Sequence, residues 1–65
     1  MNEFDEMARK LWFVDGDTIS LVKSMRREDR ESVEQRLLPL YGASIDLSAR
    51  EEDIKTALSK IQHHV

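Results

Sequence analysis

The sequence has no cysteine, which excludes disulfides, thiolate metal ligands and a thiol nucleophile, and leaves a small core without such staples. Glycine occurs twice and proline once, so neither a glycine-rich phosphate loop nor a long flexible linker can be placed. No apolar run approaches the roughly 20 residues needed to cross a bilayer; the longest are Leu11–Val14 and the proline-interrupted Leu37–Tyr41. The opening Met-Asn-Glu-Phe-Asp-Glu has neither the positive start nor the unbroken apolar stretch of a secretory signal. A cytoplasmic location with no membrane association is the expectation. Positive charge is not in excess either: ten Lys and Arg against thirteen Asp and Glu give a net charge of −3. No overall field draws in nucleic acid or an anionic bilayer.

What is present describes a folded domain. Apolar residues make up 40% of the chain and charged residues 35%, too apolar for a disordered tail and too charged for a membrane segment. A chain of 65 residues buries only about 60% of its unfolded surface, so it holds one core. We therefore read residues 1–65 as a single all-α domain, a small antiparallel bundle of three or possibly four helices. With so little core, a homodimer is expected.

Phe4, Met7, Leu11 and Val14 recur at helical spacing, predicting a helix over residues 2–14 with Asn2 as its cap. Glu3, Asp5 and Glu6 precede Arg9 and Lys10, the order a helix dipole favours, and Glu6 and Lys10 form an i,i+4 pair. Asp15-Gly16-Asp17 ends this helix, with Gly16 read as the left-handed residue and Asp17 or Thr18 as the next cap. A β-hairpin over residues 11–22 is the rival reading, because Asp-Gly between β-prone runs is a hairpin signal. Ile19, Val22, Met25, Val33, Leu37 and Leu40 share one face of a second helix over 18–40, interrupted by Arg26 and Asp29. Periodicity does not decide between one continuous helix and a break near Arg26–Glu28; we adopt continuity. Pro39 ends or kinks that helix and Gly42 terminates it. A loop over 42–47 turns Ile45 and Leu47 inward. Ser48 and Glu51 have capping-box spacing, and Ile54, Ala57, Leu58, Ile61 and Val65 form the stripe of a last helix over 48–63.

Chemistry is hard to place on this chain. His63 and His64 are adjacent and point about 100° apart on a helix, with no third histidine to complete a metal site. A calcium loop around Asp15 and Asp17 would require oxygen ligands where Leu11, Phe13 and Val22 stand. No catalytic, cofactor-binding or metal-binding residue is assigned, no cofactor or small-molecule substrate is implied, and the chain is not read as an enzyme.

Two features suggest contact with a partner. Each of the runs Leu11–Val14 and Leu37–Tyr41 has more apolar bulk than one helical stripe can hide, which makes Trp12, Phe13, Leu38 and Tyr41 candidate interface residues. Lys23, Arg26, Arg27 and Arg30 stand at i, i+3, i+4 and i+7 and would form a basic ridge on a continuous helix. The leading expectation is a non-catalytic protein–protein interaction module, a small regulator, adaptor or inhibitor of bacterial or phage type that covers a larger protein partner. The alternative is a small nucleic-acid-binding transcriptional regulator that uses the Lys/Arg helix face.

Overall fold

A computed structural model describes residues 2–63. These residues form four helices, α1 (Glu3–Leu11), α2 (Gly16–Lys23), α3 (Arg27–Tyr41) and α4 (Glu51–Gln62), with no strand among them. The hairpin reading is thereby set aside. His64 and Val65, placed above at the end of the last helix, lie outside the described residues.

The first helix is capped as its sequence predicts, the Asn2 side chain accepting from the Asp5 amide at 3.0 Å. It closes through i→i+3 bonds from the amides of Trp12, Phe13 and Val14, and the chain then reverses at Val14, whose φ is 54°. The left-handed residue is therefore Val14 and not Gly16. A β-branched side chain is unfavourable there by about 1–2 kcal/mol, and Val14 is held in place by packing against the core. Asp15 caps α2, accepting from the Asp17 amide at 3.1 Å and the Thr18 hydroxyl at 2.8 Å. Gly16 becomes the first residue of the helix that it was expected to precede.

The second and third helices are separate. Ser24, Met25 and Arg26 form a three-residue break, and Ser24 turns its hydroxyl back onto the carbonyls of Ser20 and Leu21. The polar interruption at Arg26 and Asp29 is the place where one helix ends and another starts, so continuity over 18–40 does not hold. Pro39 does not end α3; the helix continues through it to Tyr41, although the proline has no N–H to give the Gln35 carbonyl. Gly42 is left-handed (φ 75°) and donates to the Leu38 carbonyl at 2.8 Å, closing the helix as expected.

Ser48 does not form the expected capping box. Its hydroxyl and amide both donate to Asp46, two residues earlier, and α4 starts at Glu51 behind Arg50, which supplies no side-chain cap. A local Asx turn competes for the serine and moves the start of the helix two residues on.

The core comprises Ala8 and Leu11 from α1, Ile19 and Val22 from α2, Val33 and Leu37 from α3, Ile45 and Leu47 from the loop, and Ile54 and Leu58 from α4. Each of the larger side chains contributes roughly 1.5–3 kcal/mol by leaving water. Leu40, expected on this face, is 42% exposed: Val33, Leu37 and Tyr41 set the stripe, and Leu40 stands roughly 60° from its centre. α1 packs chiefly on α3, and α2 also touches α3 and α4. The molecule measures 30 × 24 × 16 Å, a depth that leaves every helix with one face on solvent.

Candidate functional site

Of the four interface candidates in the two apolar runs, two turn inward and two do not. Trp12 and Tyr41 stack on each other with ring centroids 4.6 Å apart and planes inclined by 24°. The Tyr41 hydroxyl donates to the Ala8 carbonyl at 2.6 Å, while the Trp12 carbonyl accepts from Nε2 of Gln62. Burial pushes the Tyr41 phenol above its ordinary value of 10.0, opposed by the positive charge of Arg9. This pair ties the C-terminal ends of α1 and α3 together and leaves both rings half-buried. Phe13, by contrast, is 78% exposed and Leu38 is 53% exposed.

The cationic ridge is divided by the break between α2 and α3. Lys23 reaches the Ala49 carbonyl, which ties α2 to the segment before α4. Arg26 and Arg27 are exposed, pairing with Asp29 at 3.7 Å and Glu31 at 2.9 Å, both on α3. Nε of Arg30 is enclosed without a hydrogen-bond partner. The four cations thus do not share one face.

The surface that emerges lies on α3. Leu38, Pro39 and Leu40 are consecutive and all exposed. On one shoulder, Leu38 borders a trough of about 560 Å³ lined by Glu34, Gln35, Leu38, Ser44, Ile45 and Asp46. Glu34 uses Oε2 to accept from the Leu47 amide at 2.8 Å. Asp46 uses Oδ1 for Ser48, and those hydrogen bonds, the hydroxyl's foremost, hold its carboxyl below the ordinary value of 3.8. The other oxygen of each carboxylate has no partner among the described residues. On the other shoulder, Leu40 and Pro39 border a trough of about 190 Å³ with Asp5, Arg9 and Arg36. Arg36 is bound to Asp5 at 2.7 Å and to the Ser32 carbonyl at 2.6 Å, and lies 5.6 Å over the ring of Phe4. Arg9 forms no ion pair among the described residues.

Of this surface the apolar runs mark Leu38 alone. Leu40 was assigned to the core, and Glu34, Asp46 and Arg9 gain their meaning only from contacts between α3, the loop and α1. Two further depressions are present, one along α4 past Lys55, Thr56, Ser59, Lys60 and His63, the other of about 300 Å³ between Tyr41, Gly42, Ala43, Lys60 and Ile61. The first is lined by α4 and its C-cap residue His63 alone, so it is a gap between surface side chains with no floor from a second element. Among the described residues no three carboxylates or imidazoles gather where a metal ion could be held, and no helix is long and apolar enough to cross a membrane. Comparison of the chain with protein-family models, with curated proteins and with solved structures finds no match in any of the three.

Proposed function

We propose that this protein is a non-catalytic interaction module that docks onto a larger protein, with Phe13 as the anchor. The observation that supports this reading is the division within the first apolar run. Trp12 is fixed by stacking and by Gln62, while its neighbour Phe13 stays 78% exposed on the turn that follows α1. A large aromatic held out on a short, well-bonded turn gives up little conformational freedom on binding, and aromatic anchors of this kind dominate interface energetics. Neighbouring Lys10 and Asp15 are exposed and supply a polar rim.

A protein partner is favoured over nucleic acid because the cations that would contact phosphate are divided. Arg26 and Arg27 are already matched by Asp29 and Glu31 on α3, and the chain is acidic as a whole. The deciding experiment is affinity capture with wild type and Phe13→Ser side by side. A protein retained by wild type and lost by the variant, with helical circular dichroism unchanged, is the expected result. Equal recovery on both baits, or binding to random duplex DNA that weakens steeply with salt, would overturn the proposal.

A further inference from the structure

We propose that the exposed face of α3 is a self-pairing surface, on which a second copy of the chain docks with the two α3 helices side by side and parallel. The proposal shares with the reading above the premise that exposed apolar side chains mark contact surfaces, but it concerns a different face. It follows from how charge and shape are distributed about one line of the helix. At about 100° per residue, Leu38 and Leu40 stand to either side of Pro39, and Gln35 falls within about 40° of Pro39 one turn earlier. The midline of the face, Gln35 and Pro39, is thus exposed and uncharged.

The two flanks differ in sign. Beside Leu38 are Glu34 and Asp46, each with one carboxylate oxygen committed inside the chain and one left free; the cations acting on Asp46, Arg30 and Lys23, are turned into the chain, Nε of Arg30 enclosed and Lys23 on the Ala49 carbonyl. Beside Leu40 are Arg9 and Arg36, of which Asp5 neutralises only Arg36. An acidic flank and a basic flank about a neutral apolar midline are complementary to each other, so the surface is complementary to itself under one symmetry operation. A two-fold axis parallel to α3 brings the basic flank of each copy against the acidic flank of the other. Arg9 then meets Glu34 and Asp46 of the second copy, twice per dimer. Leu40 enters the 560 Å³ trough bordered by Leu38 and Ile45. A two-fold axis across α3 would instead set carboxylates against carboxylates, so the charge pattern selects the parallel arrangement.

The absence of cysteine from the chain gives a direct test, because a single introduced thiol has only its own copy to pair with. Gln35→Cys and Pro39→Cys should each form self-linked dimers on mild oxidation, since equivalent midline positions face each other in the parallel pair at disulfide distance. An antiparallel pair cannot link both positions to themselves and would favour a mixed 35-to-39 link when the variants are combined. In sedimentation from micromolar to millimolar concentration, wild type should show a monomer–dimer equilibrium, and Leu40→Lys should remain monomeric. Arg9→Glu and Glu34→Lys should each self-associate about tenfold more weakly, since each places like charges together at two contacts. An equimolar mixture of the two should recover wild-type affinity.

A wild-type chain that stays monomeric to millimolar concentration would overturn the proposal, as would a mixture no tighter than its components or a predominance of the mixed cross-link. Phe13-dependent capture would be unaffected by any of these results, and loss of that capture would leave the dimer standing. Should Glu34→Lys fail to fold for want of its bond to Leu47, the two cysteine variants decide the matter alone.

Discussion

Tyr41 is constrained on two sides, by the Trp12 ring against its face and by the Ala8 carbonyl at its hydroxyl. Tyr41→Phe keeps the stack and removes one hydrogen bond, for an expected loss of about 1 kcal/mol in urea unfolding. Trp12→Ala removes the stack itself and should cost about 2 kcal/mol, less than for a fully buried indole. Because burial raises the Tyr41 pKa above 10.0, the stability linked to the neutral phenol is complete below the unfolded-state value and is lost as pH rises through the folded one. The alkaline limb of a stability-against-pH curve should therefore be shallower in Tyr41→Phe. Asp46 has the opposite sign. Its carboxyl is held low by Ser48, so its contribution is present above the ordinary carboxylate range and disappears as pH falls through the folded value. Carbon-detected NMR titration should give Asp46 a depressed midpoint that rises in Ser48→Ala.

At the scale of the elements, two of the four helices begin without a side-chain cap: α3 behind Arg26 and α4 behind Arg50. Both arginines make only exposed pairs with a residue three positions on, which contribute little. Arg50→Ser should accordingly raise stability by about 0.5–1 kcal/mol, read as a shift in the urea midpoint. Gly16 offers a similar gain. It is helical, its φ is not positive, and an added Cβ would meet the Glu51 carboxylate only at an ordinary 3.5 Å. Gly16→Ala is expected to stabilise by about 0.4–1 kcal/mol; a loss would mean that the first turn of α2 is not helical. The joints between elements are made by long side chains reaching backbone: Lys23 to Ala49, Glu34 to Leu47 and Gln62 to Trp12. Each ties an irregular segment to a helix and satisfies a polar group there.

For the molecule as a whole, stability and the proposed contact surface are expected on different residues. Leu58 is fully buried, and Leu58→Ala should cost about 2–5 kcal/mol. Leu38→Ser combined with Leu40→Ser, at positions 53% and 42% exposed, should shift monomer stability by no more than about 1 kcal/mol. The same pair of changes should abolish self-association. A thermal melt monitored at low and high protein concentration distinguishes the two effects, because only a dimer makes the midpoint concentration-dependent. If the double variant unfolds at a much lower urea concentration than wild type under monomeric conditions, these leucines belong to the core and the proposed face is wrong.

The apolar periodicity and capping residues of the chain by themselves determined the helical class, the inward faces of α1 and α4 within the described residues, and the ends set by Asn2 and Gly42. These features depend on residues within a turn of one another, where spacing and capping chemistry decide the outcome. Only the tertiary structure decided which of two bulky neighbours turns inward. Trp12 and Tyr41 found each other across α1 and α3, leaving Phe13 and Leu38 outside. It likewise separated α2 from α3, and left Leu40 exposed between opposite charges that no local pattern marks. Choices of this kind turn on contacts between segments some 30 residues apart, and a one-dimensional pattern has no term for them.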